Sequence, residues 1–128
     1  MMKTRVVVAD DNPAVLKKLV SILQRAFDVV GTAADGSTAI DCVVRENPDV
    51  VVLDLEMKDL NGIEVTKRLQ LNHRAYPIVI CSVETDRAIV EKALNAGVLG
   101  FVFKLRMGRD LIPAVNSAAL GQSFISQL

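Results

Sequence analysis

Val50-Val51-Val52-Leu53-Asp54 is a run of four apolar residues, three of them β-branched, that ends abruptly on a carboxylate. Three other stretches repeat the arrangement. Val6-Val7-Val8-Ala9 runs into Asp10-Asp11, Ile78-Val79-Ile80-Cys81 into Ser82, and Phe101-Val102-Phe103 into Lys104. Short apolar runs bounded by polar residues read as strands buried on both faces, the mark of a parallel sheet. In an open parallel sheet the strand C-termini share one edge, and ligands bind in the crevice there. The pattern therefore gathers three carboxylates, a hydroxyl and an ammonium at one place. Such a set suits a divalent cation held beside a phosphoryl group.

Between the runs the period changes to that of helices. Asn12 is placed as a cap with Pro13 at the first helical position, and Leu16, Leu19, Val20 and Leu23 follow at helical spacing. Phe27 to Ala33 reads as a second strand. Its polar end, Ala34-Asp35-Gly36-Ser37, turns into a helix carrying Ile40, Val43 and Val44, which Asn47-Pro48 stops. A loop from Leu55 to Asn61 leads to a third helix, opened by Gly62, with Val65 and Leu69 one turn apart. Thr85-Asp86 caps a fourth helix bearing Ile89, Val90, Ala93 and Leu94, and Gly97 suits its left-handed C-terminal cap. The strand Gly100 to Phe103 leads to a last helix with Leu111, Ile112, Val115, Ala118 and Ala119. There Pro113 is expected in the first turn, behind an Asp110 cap. Strict βα alternation with right-handed crossovers places helices on both faces of the sheet. The expected fold is α/β, a five-stranded parallel doubly wound sheet of flavodoxin-like order 2-1-3-4-5.

A length of 128 residues suits one domain spanning 1–128. Apolar residues make up 51% and aromatic ones 4%, so the core is aliphatic. Basic and acidic residues balance at 15 each, which argues against a nucleic-acid surface. No apolar run approaches the ~20 residues of a membrane span, and the N-terminus lacks a signal-peptide pattern. A cytoplasmic protein with reduced thiols is expected. Cys42 and Cys81 lack metal-ligand spacing and read as small buried hydrophobes, and His73 reads as an exposed loop residue.

Asp10, Asp11 and Asp54 carry the chemistry. Two carboxylates ~4 Å apart repel by about 4 kcal/mol at an effective dielectric near 20. Mg²⁺ is a natural partner, because it takes hard oxygen ligands and keeps several waters. Lys104 supplies a second, fixed positive charge. A phosphoryl group on Asp54 would bring about −1.5 to −2 charge, which the metal and Lys104 can offset while Ser82 donates a hydrogen bond. Carboxylates act as nucleophiles in forming aspartyl-phosphates.

In the segments VVVADDN, VVLDLEMKDLNG, IVICS and AGVLGFVFK the chain resembles the receiver domain of two-component response regulators. The resemblance implies that Asp54 is the phosphoacceptor. Asp11 becomes a direct Mg²⁺ ligand with Asp54 and the Glu56 backbone carbonyl, and Asp10 stands behind them. Ser82 and Lys104 complete the catalytic set, Ser82 and Phe101 form the switch pair, and the switching face is that of the fourth helix, fifth strand and fifth helix. Glu56 and Glu84, two positions beyond Asp54 and Ser82, should border the water path and tune the phosphate lifetime. Phe101 is expected to rotate inward on activation. Lys58 and Leu105 stand where prolines are common in receivers, and Val83 stands where a small residue is common.

The stretch from Val30 to Gly36 and the ending from Ala119 to Ser126 resemble receivers of the NarL/LuxR subfamily. This implies a sensor histidine kinase as phosphodonor and a homodimer on phosphorylation. It also implies a helix-turn-helix output domain reached through a linker starting at about 121–128. The domain itself is expected not to bind DNA. Two alternatives stand beside this reading. One is an unphosphorylated pseudo-receiver. The other is a phosphohydrolase of the haloacid-dehalogenase type, which needs a second Asp where Glu56 stands.

Overall fold

The computed structural model describes residues 2–71 and 75–128; His73 lies outside them. The chain alternates β1 (Arg5–Ala9), α1 (Pro13–Leu23), β2 (Asp28–Ala33), α2 (Gly36–Glu46), β3 (Val50–Asp54), α3 (Gly62–Gln70), β4 (Ile78–Ser82), α4 (Arg87–Asn95), β5 (Gly100–Phe103), α5 (Met107–Ala119) and β6 (Phe124–Ile125). The caps follow the local chemistry. Asn12 accepts from Ala14 and Val15 N–H, Asp35 from Thr38 N–H and Asp86 from Ala88 N–H. Asn61 and Glu64 form a reciprocal capping box on α3. Gly97, at φ 105°, closes α4. Its N–H reaches the Leu94 carbonyl and that of Val98 the Ala93 carbonyl, completing a Schellman motif.

The sheet order is β2-β1-β3-β4-β5-β6, and every pairing is parallel. The expected order of the first five strands holds, but the sheet has a sixth. Phe124 and Ile125 pair with Gly100 and Phe101, and Ser126 N–H reaches the Phe101 carbonyl. A two-residue strand carries too little hydrophobic pattern to be read from the sequence.

Alternate strand residues feed two cores. Val7, Val51, Leu53, Ile78, Ile80 and Phe101 meet α2, α3 and α4 on one face. Val6, Val8, Val50, Val52, Val79 and Val102 meet α1 and α5 on the other. Both faces of the sheet are thus dry, which explains the continuous apolar runs. Val44 and Ala119, part of the apolar patterns read above for these helices, are exposed.

The last helix departs from expectation. It starts at Met107, after a 3₁₀ turn over Lys104–Arg106, so Pro113 lies inside it. The interruption is tolerable because Pro113 and Arg109 are both exposed. The Arg109 carbonyl, which loses its helical donor, can turn to water. Asp110 is not a cap. It is buried within the helix, accepting from Ser126 Oγ at 2.7 Å and Arg109 Nε at 2.8 Å.

Candidate functional site

Asp10 directly follows β1, Asp54 closes β3, Ser82 closes β4 and Lys104 follows β5. Parallel register sets Asp54 beside Cys81 and Ser82 beside Phe103, so the polar residues emerge along one sheet edge. With Asp11 they line a cleft of about 410 Å³, together with Asn12, Val15, Glu56, Met57, Lys58 and Val83. Carboxylate oxygens of Asp10, Asp11 and Asp54 all lie within 4.8 Å of one another.

The cluster is buried and electrically unbalanced. Asp10 is 1% exposed and Asp54 5%. Lys104 Nζ lies 2.9 Å from Asp10 Oδ2 and 3.1 Å from Asp54 Oδ1. One ammonium thus faces three carboxylates. Burial, and then the charge of Asp10, push the Asp54 carboxyl up to about 6, while Lys104 and the Glu56 N–H pull it back. Burial works to lower the Lys104 pKa, but its bonds to Asp10 and Asp54 and their charges hold it above the usual lysine range.

The cluster's hydrogen bonding leaves capacity for a ligand. Asp10 Oδ1 accepts from Asn12 N–H at 2.9 Å. Its Oδ2 is paired with Lys104 by charge and lacks a well-aligned hydrogen bond. Ser82 Oγ accepts from Glu84 N–H at 3.0 Å, which leaves its own proton to donate. The donors are all hard oxygens, buried at Asp10 and Asp54 and half-buried at Asp11, and in excess of their positive partner. They fit Mg²⁺ better than a soft or bulky ion.

Several residues fall elsewhere than expected. Glu56 lines the cleft, but Glu84 does not. The Glu84 carboxylate accepts from Asp86 N–H at 3.2 Å, at the start of α4. Phe101 is fully buried and meets Phe103 edge to face, with ring centroids 6.0 Å apart. Its inward position is already occupied, so inward rotation has no burial left to gain. Cys42 and Cys81 are free and buried, and burial pushes the Cys81 thiol up to about 12.

Sequence reasoning did not place Asn12, Val15 and Met57 on the cleft, although Asn12 and Met57 lie within the segments VVVADDN and VVLDLEMKDLNG. It also missed Asp59. That carboxylate accepts from Gly36 N–H at 2.8 Å, Ser37 N–H at 2.9 Å, Ser37 Oγ at 2.6 Å and Leu60 N–H at 2.8 Å. Those bonds, led by that of the Ser37 hydroxyl, hold it well below the usual carboxylate range. No local pattern announces a partner more than twenty positions away.

Known proteins resemble the chain in sequence and fold. Residues 6–116 match the family model described as the response regulator receiver domain. The transcriptional regulatory protein DegU of Brevibacillus brevis is 30% identical over 125 residues, 96% of this chain and 53% of that protein. A protein-glutamate methylesterase/protein-glutamine glutaminase of Albidiferax ferrireducens is 41% identical over 112 residues, 84% of this chain and 30% of that protein. The chain thus spans about half, or less, of the curated relatives it matches. Among solved structures, the signal receiver domain of NarL from Mycobacterium tuberculosis superposes with a TM-score of 0.90 at 31% identity, covering 95% of this chain and all of that one. Response regulators of the LuxR family are also among the structural neighbours. A family match over most of the chain, a shared fold and the carboxylate cluster at its sheet edge agree: the chain belongs to the response regulator receiver domain family.

Proposed function

We propose that this domain accepts a phosphoryl group on Asp54 from a phosphohistidine of a sensor histidine kinase. The observation that carries this is the burial of Asp54 among like charges, with Lys104 Nζ 3.1 Å from its Oδ1. With its pKa pushed up to about 6, Asp54 is largely ionised at neutral pH and available as a nucleophile. One of its carboxylate oxygens attacks phosphorus. The phosphorus–nitrogen bond breaks, and its electron pair leaves on the imidazole. Lys104 stays protonated and meets the charge carried by the transferred group. Ser82 donates its hydroxyl proton to a phosphoryl oxygen.

Asp11, Asp54 and the Glu56 carbonyl would hold Mg²⁺, with Asp10 supporting them. When bound, the ion neutralises charge on the phosphoryl oxygens. Preorganised charge of this kind accounts for catalysis by the domain of its own phosphorylation and slow dephosphorylation. Glu56, on the cleft wall, tunes the lifetime of the product.

Ser82 and Phe101 form the switch pair, with the ring in its inward position, and the α4–β5–α5 face carries the change. The phosphorylated form pairs with a second copy. The likeness to DegU, a transcriptional regulatory protein, favours a cytoplasmic transcription regulator. There, residues 121–128, which return along β5, begin the connection to a helix-turn-helix output domain. DNA contact belongs to that domain. The test is incubation with a small phosphodonor and Mg²⁺, followed by intact-mass analysis. One phosphoryl group per chain is expected, and none in Asp54→Asn. Equal labelling of the two would overturn the assignment.

A further inference from the structure

The loop from Leu55 to Asn61 carries Glu56, Met57 and Lys58 into the cleft, yet it contains neither proline nor glycine to fix its course. Hydrogen bonds set its shape instead, together with the burial of Leu55 and Met57 in the core. At its base, Gly62 N–H reaches the Leu55 carbonyl at 2.8 Å. At its tip, Asp59 spans two elements, accepting from the first two N–H groups of α2, from the Ser37 hydroxyl and from Leu60 N–H. A helix N-terminus presents unpaired donors and a partial positive charge, so a carboxylate is the group it holds best. Asp35 already serves Thr38, and Asp59 takes the two donors before it. The contact is close. A Cβ on Gly36 would stand 2.6 Å from Leu60 Cβ and 3.0 Å from the Leu60 carbonyl oxygen, so nothing larger than glycine fits without moving the loop.

We infer that Asp59 is a positioning residue for the cation site: by anchoring the loop tip to the N-terminus of α2, it holds the Glu56 backbone where its carbonyl can serve as a ligand. This rests on the reading that Asp11, Asp54 and the Glu56 carbonyl bind Mg²⁺. Asp59 neither lines the cleft nor belongs to the carboxylate cluster. Its action is through the backbone between two anchors, Leu55 at one end and Asp59 at the other. Without the second anchor, only the packing of Met57 and Leu60 restrains this stretch, and the ordering left to ion binding weakens affinity.

The experiment is calorimetric titration with Mg²⁺ alone, on the parent chain and on Asp59→Ala and Gly36→Ala. The two variants disturb the same contact from opposite sides. One removes the carboxylate; the other keeps it but crowds Leu60 and, at 3.1 Å, Asp59 Oδ1. Both are expected to raise the Mg²⁺ dissociation constant about tenfold, the low end for residues behind a ligand. Asp59→Asn keeps an acceptor for Gly36 and Leu60 and should fall between. Amide exchange at Glu56 and Met57 should speed up in both alanine variants. Phosphorylation at saturating Mg²⁺ should return to the parent rate, separating a positioning role from a chemical one. Lower thermal stability with unchanged Mg²⁺ affinity in the alanine variants would show a purely structural clamp and overturn the proposal. Should Asp59→Ala not fold, Gly36→Ala and Asp59→Asn decide by the same readouts. A parent that binds no Mg²⁺ would instead remove the underlying reading, and the proposal with it.

Discussion

Asp54 and Asp110 are equally hidden from the surface, each 5% exposed, yet their carboxyl groups are driven in opposite directions. Asp54 is pushed up to about 6 by burial and by the neighbouring Asp10. Asp110 is held below the usual carboxylate range by its bond to Arg109, with the Ser126 hydroxyl helping. The chain satisfies the second carboxylate and leaves the first in a crowd. A buried acid with matched partners is structural; Ser126 Oγ, while donating to Asp110, accepts from Phe103 N–H and so fastens β6 to β5. A buried acid among like charges is kept for a ligand that only sometimes comes. Equal surface exposure does not separate the two cases; depth of burial and charge balance together do.

The largest test of this contrast is the response to Mg²⁺. At ~100 times its dissociation constant, a ligand that binds only the folded state stabilises it by about 2.7 kcal/mol. The parent and Asp110→Ala should both show that gain in thermal unfolding with added Mg²⁺. Asp11→Ala should show little of it. An undiminished gain in Asp11→Ala would mean that the unbalanced cluster is not where the ion binds.

Next in size is Asp110→Ala itself, without metal. It leaves Ser126 Oγ without its acceptor and frees the end of the chain. Losing hydrogen bonds to a buried charge costs about 2 kcal/mol. Denaturant unfolding should show this loss, and the Phe124 and Ser126 amides should exchange faster. Unchanged stability would break the contrast from the structural side.

Asp54→Asn should act in the opposite direction. Its folded-state pKa of about 6 lies above the ordinary carboxylate range near 4. A carboxyl raised in this way favours the folded state while protonated. That contribution is complete below about pH 4 and is lost as pH rises through about 6. Metal-free Asp54→Asn should therefore gain about 1 kcal/mol over the parent above pH 7, after allowance for solvent screening. At about pH 3, below the unfolded-state value, the two should converge. Asp110, with its pKa lowered, contributes at neutral pH and loses that contribution as pH falls through its folded-state value.

The smallest expected effect separates the two glutamates. Glu56→Gln, on the cleft wall, should alter the decay rate of the aspartyl-phosphate. Glu84→Gln, whose carboxylate is turned to Asp86 N–H, should leave it close to the parent's. The reverse order, measured by loss of the phosphoryl mass with time, would contradict the side-chain positions seen here.

Much of this architecture was legible because a buried parallel strand advertises itself twice. Val50-Val51-Val52-Leu53 can be apolar throughout only where both sheet faces are covered, and Asp54 marks where the cover ends. Asp10, Ser82 and Lys104 were legible in the same way. What escaped lacks such periodicity. β6 is two residues long, and Pro113 misled because the helix start is set by the 3₁₀ turn at Lys104 rather than by a capping side chain. The Asp110–Ser126 and Asp59–Ser37 bonds join residues 16 and 22 positions apart, a distance no local rule spans. Glu84 was misplaced because spacing along the chain says which residues adjoin a strand end, not which way their side chains turn.

The central claim is that the unbalanced carboxylate, and no other, carries the phosphoryl group. Labelling with a small phosphodonor, followed by reductive trapping of the acyl phosphate and peptide mapping, tests it most directly. The expected result is a single trapped residue, Asp54, formed only when Mg²⁺ is present and lost when the ion is chelated. A trapped residue at Asp10, Asp11 or Asp110, or equal labelling of Asp54 with and without Mg²⁺, would contradict it.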